Sequence, residues 1–281
     1  MSQQIDRQTL ARILQAENIE ELSFSGLLRL FREEEGINGF FPEDVYQIDP
    51  RNGERILFNS SRSRRPGDNL PKPSSAPKVS PACPVCQGNT TGVIDVADLS
   101  EGFTFINKNL YPIVYPWEVD QDLGPRGQMV CGLHFLQWTS SLHERDWHNM
   151  PPADRVVVMQ RIAALEGKLL RDSREFLLPS NPRGDGAGDR AFVLIIKNYG
   201  RLVGGSLAHG HQQIVFSNVM PRRFLDDHRF ENERGETFST YLRRENPAEL
   251  LIRDYGPAVL LVPYFMRRPY DMMLLVRDAS K

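Results

Sequence analysis

Cysteine is scarce in this 281-residue sequence: three residues, at positions 83, 86 and 131. Three thiols are too few, and odd in number, for a disulfide framework. Long apolar runs are missing as well. "AVLLVPYF" (258–265) and "FVLII" (192–196) fall far short of the roughly 20 residues that a membrane-crossing helix needs. The opening "MSQQIDRQTLARILQ" carries polar and charged residues where a secretory signal requires an unbroken apolar core. Nor is there an excess of either charge: 34 Lys and Arg against 36 Asp and Glu leave a net −2, so no global basic field points to nucleic acid. These absences predict a cytoplasmic protein with no membrane and no nucleic-acid partner. What is present is ordinary globular composition, 40% hydrophobic and 25% charged, enough for one large domain or two modest ones.

Along the chain, residues 6 to 35 have helical spacing, and "VYQIDPRNGERILFNSS" (45–61) reads as a hairpin around Asp-Pro-Arg-Asn-Gly. The Pro- and Ser-rich stretch 61–84 reads as an irregular loop. Strand patterns follow at 103–114 and 128–141. A helix over 152–172 starts with proline, and its apolar spacing picks out Val156, Val157, Met159, Ile162, Leu165, Leu169 and Leu170. A strand at 191–200 leads through a Gly-Gly-Ser turn to "HGHQQIV" (209–215). The tail holds a polar helical stretch near 222–246 and strands at 258–264 and 271–276. Strands with one long crossover helix between them predict an α+β fold.

Chemistry concentrates at two places. In an extended chain His209, His211 and Gln213 project to one side. A lone histidine is usually a surface or hydrogen-bonded structural residue, and His148 and His228 read that way. His134, inside an apparent core strand, reads as a satisfied buried imidazole. A same-face pair is harder to explain by packing. Neutral imidazole suits zinc, and it is also a nucleophile toward phosphorus when its second nitrogen is held. The second place is Cys83-Pro-Val-Cys86, whose thiolates can fill two corners of a tetrahedral zinc site. There is no second C-x-x-C, so further ligands would have to be histidines. A redox pair is the rival reading, although this pair follows a Pro/Ser loop rather than joining a strand to a helix.

"SLAHGHQQIV" resembles the active-site strand of the transferase branch of the histidine-triad superfamily, the galactose-1-phosphate uridylyltransferase family, which carries His-x-His-x-Gln. Further motifs follow in order. "DPRNGERILFNSSRSRRP" resembles the family's hairpin and Arg-x-x-Arg-Pro, and "CPVCQGN" its Cys-Pro-x-Cys-x-Gly-Asn. "NLYP" (109–112) resembles its nucleoside turn, and "SSLHERDW" (140–147) its single histidine before the long helix. "IIKNYGRLVGGSLAHGHQQ" matches its Asn, Gly-Ser and His pair in register. A weaker match, "AVLLVPYFMRRPYDMMLLV" (258–276), is similar to the opening strands of the family's second repeat.

The resemblance implies a histidine-triad-like antiparallel sheet with a long crossover helix, plus a truncated second repeat. The expected division is an N-terminal helical extension (1–40), a catalytic domain (41–221) and a partial second repeat (222–281). The resemblance further implies that Cys83, Cys86, His143 and His209 hold a structural Zn2+. His211 would be the nucleophile, forming a nucleotidyl-histidine in a ping-pong reaction, with Gln213 and Ser206 on the phosphoryl oxygens. Arg62, Arg65, Asn109 and Asn198 would bind substrate. The donor would be a nucleotide sugar or dinucleotide and the acceptor phosphate or a sugar phosphate, in a homodimer.

The sequence departs from the family at Gly210 (proline in the family), Gln212 (glycine) and Leu110 (acidic). It also stops at Lys281, short of the family's hexose-binding end. Adenylyl transfer from an ADP-sugar, a diadenosine polyphosphate or adenylylsulfate therefore stands beside uridylyl transfer. A zinc-stabilised nucleotide-binding module without turnover is the third reading.

Overall fold

The computed structural model describes residues 4–38, 45–49, 53–58, 83–116, 128–172, 191–200 and 207–278. Arg62, Arg65, Ser206, the Gly-Gly-Ser turn and nearly all of the 61–84 loop lie outside the described residues. The chain forms two compact units, Met1–Met220 and Pro221–Lys281.

The first unit opens with three short helices, α1 (Arg7–Ile13), α2 (Phe24–Arg32) and α3 (Glu35–Asn38), not the single helix that the spacing over 6–35 suggests. The interruptions have local causes. Leu14 turns extended and bridges to Val93. Asn18 and Ser23 then each cap a new start, their side chains accepting from the N–H groups of Glu20 and Gly26. Such residues compete with helix interior and favour its ends. The expected hairpin follows as β1 (Val45–Ile48) and β2 (Arg55–Phe58), antiparallel with Val45 opposite Phe58.

Next come β3 (Val93–Asp98), β4 (Phe103–Lys108), β5 (Gln128–Met129), β6 (Gly132–Trp138), α4 (Pro152–Asp172), β7 (Phe192–Ile196) and β8 (His211–Ser217). The main sheet is antiparallel in the order β3-β4-β6-β8-β7, so α4 carries the chain from the centre of the sheet to its edge. Strand β5 pairs with β1 instead. Helix α4 buries Val158, Ile162, Leu165 and Leu169, at intervals of three and four. Of the positions the sequence spacing picked out, Ile162, Leu165 and Leu169 are on this buried face, whereas Val156, Met159 and Leu170 are exposed and Val158 is buried instead.

Both faces of this sheet are covered, and the N-terminal segment contributes to both. On one face Ile94, Ile106, Phe135, Ile214 and Phe216 meet Phe24, Leu27 and Phe31 of α2 and Leu165 and Leu169 of α4. On the other, Val93, Phe103, Phe105 and Trp138 pack against Ile5, Leu10, Cys83 and Val85. Buried charges fasten the same segment: Glu34 pairs with the fully buried Lys108 at 2.8 Å. Asp95, also fully buried, takes Arg161 at 2.5 Å and the Ile19 N–H at 2.9 Å.

The second unit contains α5 (Arg222–Arg234), α6 (Phe238–Glu245), β9 (Leu251–Asp254), β10 (Ala258–Leu261) and β11 (Met273–Val276). Its strands form an antiparallel sheet in the order β11-β10-β9. Val259, Leu261 and Leu275 cluster with Leu242 of α6. Among the described residues, no helix is long and apolar enough to cross a membrane.

Candidate functional site

Strand β8 begins at His211, so His209 and Gly210 precede it. Both imidazoles nevertheless lie against one ring. Trp138, opposite His211 on β6, stands 5.3 Å from the His209 ring in an edge-on contact and 5.0 Å from the His211 ring. The Trp138 indole N–H donates to Asn107 Oδ1 at 3.0 Å, which fixes this wall in place.

Four of the expected residues converge. One donor atom each from Cys83, Cys86, His143 and His209 all lie within 4.8 Å of one another. His209 Nδ1 is 3.7 Å from Cys83 Sγ and 3.5 Å from Cys86 Sγ, and His143 Nδ1 is 3.7 Å from Cys86 Sγ. A tetrahedral zinc with bonds of about 2.3 Å to sulfur and 2.0–2.1 Å to nitrogen has N···S edges of about 3.6 Å, so the spacing fits. Protonation fits as well. His209 Nε2 lies 2.7 Å from the Ser140 carbonyl. A carbonyl only accepts, so Nε2 carries the proton and Nδ1 faces the sulfurs with its lone pair. Burial pushes the His209 imidazole down to about 4, which keeps it in the neutral form that a metal ligand needs. Burial, and then the neighbouring Cys83 sulfur, push the Cys86 thiol up to about 12. A thiolate there calls for a cation beside it.

His211 is held differently. Its Nδ1 donates to the His209 carbonyl at 2.8 Å. By the same logic Nδ1 carries the proton, and Nε2 keeps the lone pair. A residue whose side chain belongs to the cysteine–histidine cluster thus fixes, through its backbone, the tautomer of the histidine two residues on.

The other expected residues are placed as follows. Gln213 is half-buried on β8, on the same side as His211 and opposite Leu136 and Ile196. Asn198 is half-buried, two residues beyond the end of β7. The register of β7 on β8, carried two residues further, sets it opposite His211. Asn109 is buried, with Oδ1 accepting from the Tyr111 N–H at 2.9 Å and Nδ2 lying 3.1 Å from His134 Nε2, so its described partners are not the cluster. His134 is fully buried and its Nδ1 accepts from the Ile113 N–H, which satisfies the expectation for a core imidazole.

Solved structures share this architecture. A uridylyltransferase superposes with a TM-score of 0.57 at 19% identity, over 82% of this chain and 65% of that one. The fold is that of uridylyltransferase. The same uridylyltransferase-like fold is found in an ADP-glucose phosphorylase from Arabidopsis thaliana with bound ADP-glucose, at a TM-score of 0.51 and 17% identity, over 84% of this chain and 69% of that one. A GalT-like protein of Arabidopsis thaliana gives a TM-score of 0.51 at 15% identity, over 84% and 68%. The chain therefore spans just under two thirds of the uridylyltransferase it matches. No family model and no curated protein sequence matches it.

Sequence reasoning passed over several groups at this site. Trp138 lies in an apolar strand pattern that carries no sign of a site, and Ser140 acts through a backbone carbonyl that no side chain announces. Asp146 and Lys197, an ion pair of 2.8 Å behind β8, sit 51 positions apart in motifs noted for other residues.

Proposed function

We propose that this protein is a nucleotidylyltransferase that carries a nucleoside monophosphate on His211. The supporting observation is the hydrogen bond from His211 Nδ1 to the carbonyl of His209, a member of the cysteine–histidine cluster. With the proton held on Nδ1, Nε2 attacks the α-phosphorus of the donor. A P–N bond forms as the bond from phosphorus to the leaving phosphate oxygen breaks. The ring then carries positive charge, which the His209 carbonyl stabilises through Nδ1–H. An acceptor phosphate oxygen attacks next, the P–N bond breaks, and His211 returns to its neutral state.

Cys83, Cys86, His143 and His209 would hold a zinc ion. With all four corners taken by protein, the ion would serve structure and supply no open coordination position. Gln213 and Ser206 are assigned to the phosphoryl oxygens, and Arg62, Arg65, Asn109 and Asn198 to substrate binding, with the two arginines suited to bidentate phosphate contacts. Residues 41–221 would be the catalytic domain.

The likeness to both a uridylyltransferase and an ADP-glucose phosphorylase supports a nucleotide-sugar donor and leaves two bases in play. Leu110, lying in the turn that resembles the family's nucleoside contact but lacking its acidic residue, favours adenosine as the second reading. Intact-protein mass spectrometry after incubation with UDP-glucose, ADP-glucose, diadenosine tetraphosphate and adenylylsulfate tests the proposal. An acid-labile adduct of UMP or AMP mass, absent from His211→Asn, is the expected result and names the base. No adduct from any donor, with zinc in place, would leave a nucleotide-binding module without turnover.

A further inference from the structure

Besides pairing with Trp138 of β6, the main chain of His211 takes a hydrogen bond from a charged side chain. Thr139 N–H donates to the Gly210 carbonyl at 3.0 Å, so the peptide groups of Gly210 face β6. In an antiparallel strand the next residue faces the other way, which turns the His211 carbonyl toward β7. But β7 pairs with β8 only as far as Ile196 and Gln213. A rung further on, where Asn198 would face His211, the strand has already ended. A buried carbonyl at that place needs a donor. Lys197 reaches back to supply one, its Nζ 3.2 Å from the His211 carbonyl oxygen.

The same ammonium lies 2.8 Å from Asp146 Oδ1, and Asp146 is itself fixed. It is buried, accepts from the Trp147 N–H at 2.8 Å, and lies 3.1 Å from the Thr139 hydroxyl. This cluster stands directly against Gly210. A methyl group added there would come within 2.5 Å of the Thr139 hydroxyl and 2.6 Å of the Asp146 carboxyl carbon. The absence of a side chain between the two histidines is thus what lets the carboxylate approach the strand from behind. A main-chain N–H from a longer β7 would satisfy the same carbonyl without desolvating two charges.

We propose that Lys197, anchored by Asp146, is a positioning residue that sets the main chain of His211 and thereby aims its imidazole. The proposal rests on the reading of His211 as the nucleophile. Lys197 touches the histidine at its backbone carbonyl, from the side of β8 opposite the imidazole. Loss of the contact should therefore slow the chemical step and leave donor binding nearly intact, since a misplacement of about 1 Å costs on the order of 100-fold in rate.

The test uses the full, metal-loaded chain and the variants Lys197→Met, Lys197→Arg and Asp146→Asn. Single-turnover formation of the nucleotidyl protein is followed with UDP-glucose and with ADP-glucose. The His211 Nδ1–H resonance is followed by 15N NMR without any donor. Lys197→Met is expected to react about 10- to 100-fold more slowly, with the donor concentration for half-maximal rate within about threefold of wild type and metal content unchanged. Its Nδ1–H resonance should shift or broaden. Lys197→Arg should recover most of the rate and the resonance, because a guanidinium can reach both oxygens. Asp146→Asn keeps the shape and weakens the anchor, and should show the same pattern at smaller size, which covers the case in which Lys197→Met does not fold. A wild-type rate in Lys197→Met, or an unmoved His211 resonance, overturns the proposal. If wild-type protein gives no adduct, the transferase reading falls, and the NMR comparison still decides whether Lys197 sets His211.

Discussion

The two main sheets of this protein bury different things. The five-stranded sheet encloses Lys108, Asp95, Asn107, His134 and Gln137, each with named partners: Glu34, Arg161, Trp138, Ile113 and Val158. The three-stranded sheet of the second unit buries Val259, Leu261 and Leu275 against Leu242, while Leu274 and Val276 on the other side of β11 stay 62% and 52% exposed. An apolar contact tolerates sliding and repacking, whereas a buried polar network works only when every partner is in place. The first sheet is thus the one able to hold a side chain to a fixed direction, and the cysteine–histidine cluster and His211 are on it.

Four perturbations should sharpen or break this contrast. Chelation should act most strongly, since a structural zinc site contributes on the order of 10 kcal/mol to folding. Hydrogen exchange should then show the amides of β6 and β8 losing protection while those of β10 and β11 keep theirs. Unchanged protection in the first sheet would count against a metal in the cluster. Lys108→Met comes next. It strands the Glu34 carboxylate and should cost about 3–5 kcal/mol in urea unfolding. Adding Glu34→Gln should recover at least half of that loss, as expected for a pair and not for two independent contacts. Gly210→Ala should cost about 1–3 kcal/mol, because Thr139 and Asp146 must give way to the methyl group. The smallest effect is expected on the open face of the second sheet, where Leu274→Ser should change stability by no more than about 0.5 kcal/mol.

The elements with strong periodicity or turn chemistry were legible in the sequence. Pro152 and the apolar spacing after it gave α4 its bounds, and the Asp-Pro-Arg-Asn-Gly turn gave the β1–β2 hairpin. Strand β3 was not legible, because Asp95 interrupts its apolar pattern and finds its partner, Arg161, 66 positions away. The N-terminal helices were blurred into one because capping residues such as Asn18 and Ser23 look like ordinary polar positions until the chain turns at them. β9 was missed too: its four residues are all exposed and carry no buried-face pattern. At the site, the cysteine–histidine set was implied by resemblance, and the described atoms bring its members together. The spacing of the motifs was silent on Lys197 and Asp146. Their role depends on where β7 lets go of β8, which is a property of register and not of composition.

The cluster also imposes an order on the making of the protein. Cys83 and the last of its companions, His209, are separated by 126 positions. At roughly 5–20 residues per second of synthesis, the thiols leave the ribosome about 6–25 seconds before that ligand exists. In that interval the nascent chain offers two sulfurs and, later, His143, a partial set open to oxidation or to the wrong metal. The stretch that completes the set also brings His211, two residues on, so under the proposed function a chain able to close the cluster would be one that has just been given the means to react.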